Sequence, residues 1–168
     1  MNKQEVYEFL KQKNIPYRAY EHEAVFTVEA ANALKLPDPE CGAKNLFLRD
    51  DKKRHYYLFT LKDDRTVNIK ELQAMIGSRK LQFASEDDLY KYMKLIRGSV
   101  TPLGTMNDEE CFVQVYIDSY YMGRRISIHP NENTATIYLN CDDLMQIIRE
   151  HGNFVQYLSF ADSTCSEN

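Results

Sequence analysis

The stretch GAKNLFLRDDKKRHYYLFTL, residues 42–61, decides the fold class. Two short runs rich in aliphatic and aromatic residues, 44–49 and 55–61, flank the polar segment DDKKR. Runs of this length around a charged turn predict a β-hairpin. One feature does not suit a plain strand. Lys44 and Asn45 stand at the mouth of the apolar run Leu46-Phe47-Leu48, where a residue cheaper to desolvate is usual. Taken alone, Lys44 is readily explained as a snorkelling residue with its ammonium in water. Equally, a rigid strand can hold a lysine at a cleft edge as a fixed point charge for an anion or a carbonyl, with Asn45 adding a donor and an acceptor.

Upstream of the hairpin, Val6, Phe9 and Leu10 share one face of a helix over residues 3–13. A strand is expected at residues 17–22. Thr27 is placed to cap a helix from Val28 to about Leu36, which LPDPE terminates. Downstream, Asn68 with Glu71 forms a capping-box pattern, and Gly77 fits the C-terminal cap of the helix between them. KLQFA predicts a short strand, and Ser85 with Asp88 caps a helix carrying Leu89 and Met93. Three further strands are expected at 111–117, 125–129 and 134–139. Asn140 and Asp143 then open a helix that Gly152 closes. Helices mixed with hairpins give one α+β domain over residues 1–160, with 161–168 as a disordered tail.

Composition narrows the function classes. The chain has 168 residues, 43% of them hydrophobic, which suits a single core. No apolar run is long enough for a membrane span, and the polar N-terminal stretch lacks a signal-peptide core, so a cytoplasmic location is expected. Four scattered cysteines and four histidines show no metal-ligand spacing, so neither a metal nor another cofactor is predicted. The net charge of -4 disfavours binding nucleic acid through bulk charge and leaves room only for a local contact.

Three more segments carry residues that the fold alone does not demand. GSVTPLG holds Gly98, Ser99, Val100, Thr101, Pro102 and Gly104. It reads either as a surface turn or as a stiffened loop whose N–H groups cradle an oxyanion or a phosphate. His129 closes a strand before Pro130 and suits a structural hydrogen bond, a water or a ribose hydroxyl. In YEHEAVFT, Tyr20 and His22 share a strand face, followed by Phe26 and Thr27. No local pattern makes a Ser-His-Asp or Cys-His set.

Taken in order, HEAVFTVEAA, KNLFLRDDKKR, GSVTP-x-G and HP-x-x-NTAT resemble the freestanding prolyl-tRNA editing proteins of the YbaK/ProX type. These are related to the editing domain inserted in bacterial prolyl-tRNA synthetases. The resemblance implies a compact domain with a curved, barrel-like mixed sheet and flanking helices. It also implies hydrolysis of a mischarged aminoacyl-tRNA: alanine on proline tRNA in the ProX branch, cysteine in the YbaK branch. On this resemblance Lys44 and His129 are the catalytic residues. Tyr20, His22, Phe26, Thr27, Asn45, Gly98, Ser99, Val100, Thr101, Pro102 and Gly104 bind substrate. The partners would be the acceptor end of mischarged proline tRNA and prolyl-tRNA synthetase, with no DNA and no membrane. A cysteinyl-tRNA deacylase and a non-catalytic tRNA- or amino-acid-binding module are the alternatives. An activated ester needs position and electrostatics rather than a covalent nucleophile. A synthetase pocket built for proline cannot strongly reject the smaller alanine, so a smaller second sieve is required, with Phe26 and Val100 as expected walls.

Overall fold

The computed structural model describes residues 1–160, the Val28 side chain excepted. The expected tail at 161–168, with Cys165, lies outside the described residues. Helices α1 (Lys3–Gln12), α2 (Val28–Ala33), α3 (Ile69–Ile76), α4 (Glu86–Met93) and α5 (Cys141–His151) are interspersed with eight strands among the described residues. The strands are β1 (Tyr17–Glu21), β2 (Ala43–Asp50), β3 (Tyr56–Lys62), β4 (Leu81–Phe83), β5 (Val113–Asp118), β6 (Arg125–Ile128), β7 (Ala135–Asn140) and β8 (Val155–Leu158). No helix among the described residues is long and apolar enough to cross a membrane.

The capping signals in the sequence are realised as hydrogen bonds. The Asn68 side chain accepts from Glu71 N at 2.8 Å, the Ser85 hydroxyl from Asp88 N at 3.0 Å, and the Thr27 hydroxyl from Ala30 N at 3.0 Å. Each satisfies an orphan donor of the first helical turn. Gly77, at φ +66°, takes the left-handed conformation that ends α3.

The expected hairpin forms: β2 and β3 pair antiparallel from Ala43 opposite Lys62 to Arg49 opposite Tyr56. The strands divide into two sheets rather than one curved barrel-like sheet. One has the order β1-β7-β6, and the other β4-β2-β3-β5-β8. In the larger sheet β3, β5 and β8 run parallel, so the sheet is mixed. An isolated parallel bridge between Gly42 and Ser127 joins the two, and no closed barrel results. The Tyr121 hydroxyl, from a fully buried ring, donates to the Gly42 carbonyl and pins this junction.

The large sheet is covered on both faces. Tyr56 and Leu58 of β3 pack into a core with α1, α4 and α5, whereas Tyr57, Phe59 and Leu61 pack on the other side with Leu72 of α3. Double coverage explains why β3 is a continuous apolar run instead of an alternating one. The alternation of β2 sorts its residues in the same way. Ala43 and Phe47 belong to the first cluster; Leu46 and Leu48 belong to the second. Asn45 therefore faces the first side and Lys44 the second.

Candidate functional site

A cleft of about 620 Å³ opens where the two sheets meet. Its floor is Gly42, Ala43 and Asn45 at the start of β2. One wall is Ser127, Ile128 and His129 at the end of β6, with Thr136 and Tyr138 of β7. Gly98 and Val100 form a second wall, and the segment from Ala31 to Pro39 forms a third. The third wall is tied to the sheet. The Tyr138 hydroxyl donates to Pro37 O at 2.6 Å, and Arg125 pairs with the Asp38 carboxylate. Lys35, Asp38 and Asp63 bring charges of both signs to the rim.

His129 is oriented by the backbone. Its Nδ1 lies 2.9 Å from Ala135 O, and a carbonyl only accepts, so Nδ1 carries the proton. The neutral ring then presents Nε2 as a lone pair. Burial lowers the pKa of this imidazole below its ordinary value, with His22 acting in the same direction and the Ala135 bond opposing. The tautomer of His22 is fixed by the same logic. Its Nδ1 donates to Glu23 O at 2.8 Å, and its Nε2 accepts from the Thr136 hydroxyl at 3.0 Å. His22 therefore stands behind the cleft wall and turns Thr136. Tyr20 has a similar place, packed edge-on against Tyr138 with ring centroids 5.4 Å apart.

Asn45 is held from below. The Thr60 hydroxyl donates to its Oδ1 at 2.6 Å. That leaves the NH2 end of the amide without a partner among the described residues, on a side chain that lines the cleft.

Residues 98–104 divide into two parts. Gly98 and Val100 line the cleft, and among the described residues no hydrogen bond takes up either N–H. Gly98 has φ +89°, and a Cβ there would sit 3.3 Å from the Phe26 ring. Phe26, expected as a wall, is 70% exposed at the rim. The remainder of the loop is buried structure. Ser99 N donates to Ile96 O at 3.0 Å, and Gly104 N donates to Thr101 O at 3.1 Å. Residues Pro102–Asn107 form a 3-10 turn in the core. A surface cradle over the whole loop is therefore corrected to the two positions 98 and 100. Thr101 serves the site indirectly, through a 2.8 Å hydrogen bond from its hydroxyl to His129 O. Thr27 is the α2 cap.

Lys44 is not among the residues lining the cleft. Its ammonium donates to Arg65 O. Arg65 is itself fixed by a bidentate pair with Asp118 at 2.5 and 3.1 Å, and the Asp118 carboxylate is fully buried. Sequence reasoning placed Lys44 beside the pocket but not the direction in which its side chain runs. It also passed over Ser127, Thr136 and Tyr138, although their two-residue spacing on strands flanking His129 was a usable signal.

Floor, walls and histidine converge on one cleft, and comparisons with known proteins give the family of the chain. The aminoacyl-tRNA editing domain family matches residues 22–147, and the chain belongs to that family. It is accordingly an aminoacyl-tRNA deacylase. It is 43% identical over 152 residues to the prolyl-tRNA editing protein ProX of Acetoanaerobium sticklandii, covering 90% of this chain and 93% of that protein. It is also 34% identical over 161 residues to the prolyl-tRNA synthetase associated domain-containing protein 1 of Danio rerio, covering 94% and 87%. Among solved structures, one described as a candidate trans-editing enzyme for prolyl-tRNA synthetase superposes with a TM-score of 0.70 over 95% of this chain and 97% of its own. At 17% identity that likeness speaks for the fold alone.

Proposed function

We propose that this protein clears mischarged proline tRNA in trans, and that its principal substrate is the alanyl ester. The observation that carries the reading is the convergence of His129, Asn45 and the Gly98–Val100 backbone on one cleft, in a chain of the editing family. At about 620 Å³ the cleft has the size of a small-molecule site, enough for a terminal adenosine with its amino acid.

Water attacks the ester carbonyl, and the bond between the acyl carbon and the ribose oxygen breaks. The amino acid leaves as a carboxylate; the ribose oxygen takes up one proton of the water, and the other passes to solvent. The Asn45 NH2 and the N–H groups at 98 and 100 stabilise the developing oxyanion. The neutral Nε2 of His129 accepts from a ribose hydroxyl or from the attacking water. To place its charge on a substrate oxygen, the Lys44 side chain has to leave the Arg65 carbonyl and turn round the start of β2 to the cleft mouth. Val100 narrows the acyl end so that alanine fits and proline does not. The partner is the acceptor end of the tRNA, with prolyl-tRNA synthetase as the source of the mischarged product.

The test is hydrolysis of alanyl-, cysteinyl- and prolyl-tRNA(Pro) by the purified protein. Alanyl-tRNA is expected to be hydrolysed fastest and prolyl-tRNA spared. Preference for the cysteinyl ester would reassign the substrate, and hydrolysis of none would sink the reading. Lys44→Ala is expected to cost about 10²-fold in kcat with an unchanged Tm, the scale of one lost transition-state donor. Loss of folding instead would make Lys44 structural.

A further inference from the structure

We propose that Thr60 is a positioning residue of the cleft: its hydroxyl sets which end of the Asn45 amide the substrate meets. The inference rests on the editing reading for its kinetic consequence, but not for its structural part.

Thr60 lies in the run from Tyr56 to Leu61, where all six residues are buried, and it carries the one aliphatic hydroxyl of that run. It is 0% exposed. A buried hydroxyl without a partner is costly, and valine would fill nearly the same space. Thr60 sits directly opposite Asn45 in the β2–β3 register, and its hydroxyl donates to Asn45 Oδ1 at 2.6 Å. A β-branched side chain on a strand has few rotamers, so the donor is held still.

The consequence is chemical. An asparagine amide can present its oxygen or its NH2, and the two ends are nearly the same shape. With Oδ1 taken by Thr60, the NH2 end is the one left for the cleft. An ester carbonyl, and still more an oxyanion, needs a donor there. The Thr60 hydroxyl could accept from a flipped NH2, but its own buried proton would then have no acceptor among the described residues, and the cleft would set oxygen against oxygen. Thr60 never touches the substrate, yet it selects the polarity of the floor.

The experiment compares the wild type with Thr60→Val, Thr60→Ser, Asn45→Ala and the double variant Asn45→Ala/Thr60→Val. The readouts are kcat and KM on alanyl-tRNA(Pro), Tm, and the side-chain NH2 resonances of Asn45 in the free protein. Thr60→Val is expected to shift or broaden the Asn45 resonances and to lower kcat about tenfold or more, with KM little changed, as for a misdirected transition-state donor. Thr60→Ser is expected to restore both. The double variant is expected to be no worse than Asn45→Ala, because the two residues act as one unit. The proposal is overturned if Thr60→Val keeps full kcat with unmoved Asn45 resonances. It is overturned equally if Val and Ser variants fall together with Tm, which would mark a packing role. Should the wild type hydrolyse none of the esters, the editing reading fails on that result alone. The Asn45 resonances then still decide whether Thr60 orients the amide.

Discussion

His129 is placed to respond to pH within the range where enzymes are assayed. Enclosure lowers its pKa, and the bond to Ala135 O opposes this only partly. In the unfolded chain the ring titrates at about 6.5. As pH falls through that value, the unfolded state takes up a proton that the folded state still refuses. Stability from this group is therefore full above about 6.5 and is lost toward the lower folded pKa, since stability rises with pH wherever the unfolded state binds more protons. Melting curves between pH 8 and pH 5 should show the wild type losing stability more steeply than His129→Gln on the acid side. Parallel curves would mean that the ring titrates normally. On activity, the neutral Nε2 acceptor should persist below pH 6.5. At the residue scale the sequence was a fair guide to identity: His129, Asn45, Gly98 and Val100 do meet in one cleft. It was a poor guide to direction. Lys44 and Asn45 are adjacent, so strand alternation sends them to opposite faces, and only the register against Thr60 and Leu61 says which of them meets the cleft.

At the scale of elements, the hairpin, the caps and the five helices were legible because each rests on local chemistry: a side-chain oxygen near a helix start, a glycine at its end, a polar turn between apolar runs. β8 was not. Its burial does not alternate, and the strand exists because β5 offers it a parallel edge. Residues 98–104 were only half legible for a related reason. Glycine and proline mark a turn from either side of the surface, and here most of the turn lies inside. Gly104 illustrates the difference. A Cβ added there would lie 2.5 Å from Leu95 Cδ1 and 2.9 Å from Met93 Cε, both in the core. Its glycine serves close packing and not approach by a ligand. Gly104→Ala should therefore destabilise the protein by about 1–3 kcal/mol through overpacking, while activity per folded molecule stays near wild type. Denaturant titration beside an active-fraction assay separates the two. A stable but inactive variant would return Gly104 to the binding surface.

At the scale of the whole molecule, charge is the property to reconcile with a polyanionic partner. The net charge is -4, and the cleft itself carries carboxylates at Asp38 and Asp63. The cations near the mouth are few and mostly paired: Lys35 lies in the lining, Arg125 pairs with Asp38 and Lys62 with Asp63, and Arg97, 87% exposed beside Gly98, lies 3.8 Å from Glu86. On the proposed reading, the cleft holds the end of an acceptor strand by shape and by hydrogen bonds to the terminal nucleotide, and it neutralises few phosphates. Counterion release then gives a shallow salt dependence. For about two to three phosphates on a single strand, affinity should fall only about tenfold between 50 and 200 mM salt. The measurement is kcat/KM on alanyl-tRNA(Pro) across that range, since kcat/KM carries the binding term below saturation. A loss of about 10³-fold or more would show a far larger phosphate footprint, of the size made by basic nucleic-acid binders. Binding would then have to extend beyond the cleft along the acceptor stem. A shortened RNA carrying only the acceptor end makes the same point from the substrate side, because it should retain most of the full-length tRNA's kcat/KM if the cleft reads the terminus alone.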